Sequence, residues 1–327
     1  MALLKESIVL ETLGWFQQVL MIQRDENKPG WGRFVKSMPG DGSERDDDCA
    51  TEAIKIDSPI KNESRGFAKI VGCNGLVCLH IEKSSARCTE PVGLFFWNPF
   101  TRKIRRLPEL IIEPEKFGLG YEESSDDFKL FVIAAGHGDY EKKVSVYCSK
   151  SNSWKGNGDF PSGIVLDNGI FADGAVHWVT QRMNMESQTI VSVDVKNQTL
   201  RDLVLPTTNG GCLDYWITLG SFGKSLSVVH SLLHGYSSHE CDIWMLNKCD
   251  AKESWTKVFT FPVNGLPVCC PDLTPLCICV NGDILLRSGT NLWLYNSKDN
   301  TLNVLSHKKF DENYVYSSTC VESLFSP

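Results

Sequence analysis

Apolar and polar positions along the chain follow a unit that repeats. In each unit an apolar strand ends at an aromatic residue or an Asp, a short polar turn follows, and a second apolar strand begins. The first unit runs from Phe95 through a polar turn to Ile104. Equivalent positions in successive units are separated by 50, 47, 50 and 51 residues. These positions are Trp97, Tyr147, Asp194, Trp244 and Tyr295.

A tight-turn signal marks the other half of most units. Asn74-Gly75, Asp173-Gly174 and Asn281-Gly282 each stand between two apolar runs, and Gly223-Lys224 is a weaker copy. Asn-Gly and Asp-Gly supply the positive φ angles of a two-residue hairpin turn, so the flanking runs are predicted to pair as strands. Each unit then contains four strands. A period near 50 residues is typical of kelch-type propeller blades, which are four-stranded sheets.

Strand-like segments also flank the five units, which span residues 68 to 305. Residues 51–57 and 314–316 alternate between apolar and polar side chains. Residues 1–22 fit a remnant helix, a closing strand or a frayed end, and we favour a strand over 18–23. An unclosed propeller exposes sheet edges that recruit other chains. We therefore predict an all-β fold, a kelch-like six-bladed β-propeller whose last blade is closed by strands from both termini.

Composition and charge narrow the class of protein. The 327 residues are 42% hydrophobic and 22% charged, which is typical of a globular chain. The sequence contains no run of about 18 apolar residues, so no membrane span is predicted. The net charge of -7 argues against nucleic-acid binding. The 13 cysteines are an odd number and the N-terminal residues do not resemble a secretory signal. We expect a cytoplasmic or nuclear protein with reduced thiols.

No arrangement of residues predicts catalysis, so we expect a non-catalytic protein with no cofactor and no metal. Nucleophile-elbow, phosphate-loop and His-Glu-x-x-His motifs are absent from the sequence. His177 and His80 lie on apolar runs, and we expect both to be packed, hydrogen-bonded core residues. Cys269-Cys270 and Cys277-Ile278-Cys279 have spacings that fit a zinc site poorly, so we favour core cysteines.

Two further clusters allow both a structural and a binding interpretation. The aromatic residues at the equivalent positions fit a ligand cage, but packing between neighbouring sheets is the favoured interpretation. The basic cluster fits a phosphate or partner site, but a solvated edge strand whose charges block pairing with other chains is favoured. The cluster consists of Arg102, Lys103, Arg105 and Arg106.

Candidate binding residues lie in the loops between the second and third strands of each unit. These loops are predicted at residues 82–91, 135–142, 181–188 and 231–240. Loops of varying length on a rigid scaffold usually carry binding specificity, and Tyr and Met are adaptable interface residues. The predicted partner-binding residues are His137, Asp139, Tyr140, Met183, Met185, His234, Tyr236 and His239.

Motifs distributed from residue 72 to residue 327 occur in a fixed order. They include Gly72-Cys73-Asn74-Gly75, Trp97-Asn98-Pro99-Phe100, Gly118-Leu119-Gly120-Tyr121, Asn152-Ser153-Trp154-Lys155, Gly174-Ala175-Val176-His177-Trp178, Asp242-Ile243-Trp244-Met245 and Asn281-Gly282-Asp283-Ile284. With these motifs, residues 51–327 resemble the plant F-box-associated domain, and S-locus F-box-like proteins in particular. The resemblance implies a substrate-recognition subunit of a cullin-based SCF-type ubiquitin ligase, which holds a protein substrate through its propeller loops.

The resemblance also implies partners, namely a protein substrate, a Skp-type adaptor and a cullin. In this family an N-terminal F-box docks on the adaptor, but residues 1–50 form a divergent or truncated segment with no recognisable F-box. We therefore expect adaptor binding to be weak or lost. The alternative is an F-box-less binding module that sequesters partners without ligase coupling. Relatives act in self-incompatibility, in defence or in general turnover.

Overall fold

All regular secondary structure in the described part of the chain is β-strand. In the computed structural model the strands fall into two compact units, residues 1–105 with 273–327, and residues 106–272. The structure describes residues 17–23, 33–36, 52–55, 68–81, 93–138, 140–181, 188–206, 215–234, 238–249, 252–262, 273–278, 282–288, 291–304, 314–321 and 325–327.

The unit formed by residues 106–272 contains three antiparallel sheets, each built from consecutive strands among the described residues. Strand order follows the chain in each sheet, except that β12 and β13 both pair with β14. The first sheet consists of β8 (Pro114–Glu122), β9 (Asp127–Ala135), β10 (Lys142–Cys148) and β11 (Ser153–Phe160). The second consists of β12 (Ile164–Val165), β13 (Ile170–Ala172), β14 (Ala175–Gln181), β15 (Gln188–Asp194) and β16 (Leu200–Leu203). The third consists of β17 (Tyr215–Phe222), β18 (Ser225–His234), β19 (Ser238–Cys249) and β20 (Lys252–Pro262).

The other unit contains two more sheets of consecutive strands and one sheet that joins strands from both ends of the chain. In that terminal sheet the order is β25-β1-β2-β3, and Gln17 of β1 pairs with Val321 of β25. Its strands are β1 (Gln17–Gln23), β2 (Arg33–Lys36), β3 (Glu52–Lys55) and β25 (Tyr314–Val321). The consecutive sheets are β4 (Ala68–Cys73), β5 (Leu76–Ile81), β6 (Gly93–Asn98) and β7 (Lys103–Arg106), and β21 (Thr274–Ile278), β22 (Ile284–Ser288), β23 (Asn291–Asn296) and β24 (Thr301–Val304).

The hairpin turns lie where the sequence predicts them. Asn74 and Gly75 have φ angles of 46° and 80°, and the flanking residues Cys73 and Leu76 pair. Asp173 and Gly174 repeat this conformation with φ angles of 49° and 75°. Positive φ at both central residues is the requirement of a type I′ turn, whose twist matches that of the paired strands. The repeating strand, turn, strand unit is therefore confirmed.

The five equivalent positions all fall on the third strand of a sheet, which confirms the period read from the sequence. Trp97, Tyr147 and Tyr295 are buried, while Asp194 and Trp244 are half-buried. Burial of these three aromatic residues agrees with a core role rather than with a ligand cage. The Tyr147 hydroxyl also donates to Asn152 Oδ1 at 2.7 Å, and Tyr295 makes the matching bond to Asn300 at 2.9 Å.

A tryptophan fills the space between the sheets β8–β11 and β12–β16. Trp178 is fully buried, and its ring meets Phe131 and Phe160 edge-on with centroids 6.2 and 5.7 Å apart. The indole Nε1 donates to the carbonyl of Phe117 at 3.2 Å. A Cβ on Gly118 would lie 2.4 Å from this indole, so a glycine is required for the ring to approach β8.

The same two sheets are joined by a buried lysine. Lys129 on β9 is 5% exposed, and its Nζ lies 2.7 Å from Glu122 Oε2. Nζ also donates to the carbonyl of Val195, just after β15, at 2.7 Å. The hydrogen bond from Lys129 lowers the pKa of Glu122 to about 2, further helped by the hydroxyls of Ser125 and Ser124, although burial opposes the shift. The ammonium group therefore satisfies two acceptors that belong to different sheets.

Candidate protein-binding surface

One edge of the sheets in residues 106–272 carries the long connections. Pro114 pairs with Ala134 at the end of β9, and Lys142 at the start of β10 pairs with both Ala135 and Phe160. The segments 107–113, 136–141 and 161–163 therefore leave the first sheet at the same edge. In the second sheet, Ile164 and Gln188 both pair with Gln181, and Leu203 pairs with Ile190. These strand ends, with residues 204–206, lie at the corresponding edge. We call this the connection edge.

Exposed large apolar side chains concentrate at the connection edge. Ile111 is 100% exposed and Val204 is 81% exposed, and both lie on connections that enter a sheet. Tyr140 and Ile164 are 42% and 40% exposed at the same edge. The other exposed large apolar residues among those described lie on the fourth strands of three sheets, and they are Ile104, Leu200 and Val304. Contiguous or clustered apolar exposure marks interaction sites on soluble proteins.

Two tryptophans fix the connections that carry Ile111 and Val204. Trp154 Nε1 on β11 donates to the carbonyl of Pro108 at 3.0 Å, three residues before Ile111. Trp255 Nε1 on β20 donates to the carbonyl of Val204 itself at 2.7 Å. Because each carbonyl is bound to a tryptophan on the last strand of the sheet that the connection enters, the backbone is fixed while the neighbouring apolar side chain stays exposed.

The loop that carries Tyr140 is held by its own backbone. Gly136 N donates to the carbonyl of Glu141 at 2.7 Å, and Glu141 N donates to the carbonyl of Gly138 at 3.1 Å. The carbonyl of Tyr140 accepts from Gly163 N at 3.1 Å, which places Tyr140 beside the residue that precedes Ile164. The backbone of exposed Tyr140 is therefore held next to the residue that precedes exposed Ile164.

The structure describes some of the sequence-predicted binding residues. His137 and Tyr140 lie in the loop between β9 and β10 and are exposed, and the bounds predicted for this loop match the strand ends. His234 and His239 belong to β18 and β19 rather than to a loop, because Leu233 pairs with His239 and His234 pairs with Ser238. The remaining predicted residues, Asp139, Met183, Met185 and Tyr236, lie outside the described residues.

Three exposed apolar residues were not predicted as binding residues. Ile164 and Val204 stand in short apolar runs that resemble strands, and Ile111 stands in the run Leu110-Ile111-Ile112. One available signal was that this run is bordered by Glu109 and Glu113 and follows a proline. That pattern is typical of a connection rather than of a buried strand.

The described part of the chain was predicted to hold His177 as a core residue and no metal site. His177 is fully buried, with Nε2 3.1 Å from the carbonyl of Ala172 and Nδ1 2.5 Å from Ser192 Oγ. The carbonyl can only accept, so Nε2 donates, and the predicted structural role of His177 is confirmed. No group of three or more His, Cys, Asp or Glu is placed to hold a metal ion within these residues. Nor do they contain a helix of the length and apolarity that a membrane span needs.

Comparison with known families decides the identity of the domain. Residues 39–321 match the family described as the F-box associated beta propeller domain. The chain belongs to this family. The suspected resemblance is thereby confirmed, and the protein is an all-β propeller. An F-box/kelch-repeat protein of Arabidopsis thaliana is 28% identical over 71% of this chain and 62% of its own length. The Arabidopsis F-box protein CPR1 is 27% identical over 65% of this chain and 56% of its own length.

This F-box associated domain thus spans about three fifths of the curated relatives that it matches. Among solved structures, TolB from Acinetobacter baumannii superimposes with a TM-score of 0.52 over 93% of this chain and 66% of its own. The two chains are 13% identical, so the likeness concerns the fold alone.

Proposed function

We propose that this protein is the substrate-recognition subunit of a cullin-based SCF-type ubiquitin ligase, and that it binds a protein substrate through the connection edge. The observation that carries the proposal is the set of exposed apolar side chains at that edge, with Ile111 fully exposed and Val204 81% exposed. Side chains held outward on a fixed backbone suit a protein partner, because little conformational entropy is lost on binding. Two F-box proteins among the relatives support the ligase context.

In this proposal the chain is non-catalytic and requires neither a cofactor nor a metal. Its partners are the protein substrate, a Skp-type adaptor and a cullin, in the cytoplasm or the nucleus. The candidate contacts include His137 and Tyr140 together with Ile111, Ile164 and Val204. His234 and His239 lie at the same edge of the third sheet, at the end of the β18–β19 hairpin.

We further infer that the terminal sheet serves as a sixth, kelch-like blade. Pairing between β1 and β25 supports this count, because it covers a strand edge at each end of the chain. Deleting residues 314–327 should then lower the thermal unfolding midpoint of the whole chain. An unchanged midpoint after the deletion would contradict a six-bladed ring.

Site-specific photo-crosslinking tests the binding surface. A crosslinking amino acid replaces Ile111 or Val204 in the full chain, and a matched control replaces exposed Lys150 in a tight turn at the opposite edge of the β8–β11 sheet. We expect protein adducts from plant cell extract at the first two positions and not at Lys150. Equal labelling at all three positions would refute substrate binding at the connection edge.

Capture of purified adaptor tests the ligase context separately. Binding of a Skp-type adaptor and a cullin to the same chain would support the ligase subunit. Crosslinked substrate without adaptor capture would instead identify the sequestering module.

A further inference from the structure

The most exposed apolar residue of the connection edge lies between two carboxylates. Glu109 and Glu113 are exposed, and each is two residues from Ile111. The segments 107–113 and 136–141 contain no Lys and no Arg. Ile111 therefore has an acidic border that comes from its own connection.

The lysines on the neighbouring strands β8 and β10 have partners of their own. Lys142 Nζ lies 2.6 Å from Glu115 Oε2, and Lys116 Nζ donates to the carbonyl of Leu166 at 2.7 Å. Lys143 pairs with Asp159, and this ion pair raises the pKa of Lys143, with a smaller contribution from Glu141. Glu141 is therefore partly compensated by a neighbouring cation.

Glu109 and Glu113 form no ion pair with any of the described residues. Their negative potential is consequently available to a partner. A binding surface with unpaired charge of one sign attracts the opposite charge and repels like charge, which gives both a faster association and selectivity.

We propose that this acidic–apolar surface, defined as Glu109, Ile111 and Glu113, binds a basic segment of the protein substrate. The segment presents Lys or Arg side chains to Glu109 and Glu113 and an apolar side chain to Ile111. Residues 111 and 112 form a bend, so the two carboxylates flank Ile111 where the connection changes direction. This inference rests on the proposed function and adds the chemistry of the substrate.

Three labelled peptides of equal length test the chemistry by fluorescence anisotropy with the full chain. The first alternates Lys and Leu at every second position with Ser between them. The second replaces Leu by Ser, and the third replaces Lys by Glu. We expect the first peptide to bind most tightly, the second more weakly, and the third not at all. The affinity of the first peptide should fall as the ionic strength rises past about 0.15 M, where charges more than about 8 Å apart are screened.

Variants of the full chain locate the peptide. Glu109→Gln with Glu113→Gln should weaken binding of the basic peptide by about tenfold or more, as expected for loss of complementary charges. Ile111→Ser should weaken it as well. The matched control is Glu123→Gln, which removes an exposed carboxylate from a tight turn at the opposite edge of the β8–β11 sheet. All substituted residues are exposed, so thermal midpoints should match that of the unsubstituted chain.

Several outcomes would overturn the inference. Equal binding of the basic and acidic peptides, or unchanged affinity in the double Gln variant, would show that charge does not select the partner. Self-association of the chain that disappears in the double Gln variant would show that a second copy occupies the surface. If crosslinked substrate at position 111 survives the double substitution, the proposed function stands and only the basic chemistry fails.

Discussion

Replacing Lys129 by Met tests how strongly the buried ammonium group couples the sheets β8–β11 and β12–β16. The substitution keeps an unbranched apolar side chain of similar length, so the packing of β9 is largely preserved. It removes the 2.7 Å contact to Glu122 and the 2.7 Å hydrogen bond to the carbonyl of Val195. Both acceptors then lack their cationic donor.

The expected loss follows from the burial of the pair. Removing one partner of a buried ion pair costs about 3–5 kcal/mol, because the remaining charge is left uncompensated. Glu122 keeps 12% of its side chain exposed and accepts from Ser124 at 2.9 Å, so the cost lies at the lower end of that range. We expect Lys129→Met to reduce the free energy of unfolding by about 3 kcal/mol, which lowers the thermal midpoint by roughly 6–12 °C.

The matched control is Lys224→Met, which deletes a lysine paired with Glu123 at 3.1 Å while both side chains remain more than 70% exposed. An exposed pair contributes about 0–1 kcal/mol, so this variant should unfold close to the unsubstituted chain. Thermal unfolding followed by tryptophan fluorescence compares the two. Midpoints of the Lys129 and Lys224 variants within about 2 °C of each other would refute the reasoning, since a shift of that size corresponds to less than about 1 kcal/mol.

Three further changes have defined outcomes. Gly118→Ala should lower the free energy of unfolding by about 1–3 kcal/mol because a Cβ would lie 2.4 Å from the Trp178 ring. Gly156→Ala is the control, because a Cβ there would meet open space and should leave the free energy unchanged. Equal effects of the two substitutions would contradict this packing. Trp255→Phe should cost about 1 kcal/mol and speed amide exchange in the connection after β16, and unchanged exchange would show that its hydrogen bond does not hold that segment. Glu122 has a pKa lowered from 4.5 to about 2, so its contribution to stability is complete above pH 4.5 and is lost as the pH falls towards 2. Glu122→Gln should reduce this loss of stability in acid. If the stability of the variant falls with pH as that of the unsubstituted chain does, the contribution of Glu122 is refuted.

The sequence predicts the strands well because its signals are local. The positive φ angles at Asn74 and Gly75 belong to a two-residue turn that these residue types favour, so the turn could be located without coordinates. The period placed Tyr147 and Tyr295 on third strands for a related reason, since each repeat builds one sheet from adjacent strands. The short apolar segment at 18–23 was also correctly favoured as a strand, β1.

The binding surface was harder to predict, because exposure is a property of the assembled fold. Leu110-Ile111-Ile112 has the apolar composition of a buried strand, yet Ile111 is fully exposed on a connection whose backbone is held at Pro108 by Trp154. His234 is a strand residue because β18 continues beyond the apolar run that indicated it, as far as the pairing of His234 with Ser238. Contacts between sheets, such as that of Lys129 with Val195, join residues 66 positions apart and leave no local pattern.

The pairing of β1 with β25 has a consequence for synthesis on the ribosome. Gln17 finds its partner Val321 only after roughly 300 further residues have been translated. The sheets made of consecutive strands need no such delay, because their partners are neighbours in the chain and short loops close quickly. The edge of β1 that receives β25 therefore stays unpaired until the last strand has been translated, so this sheet is completed last.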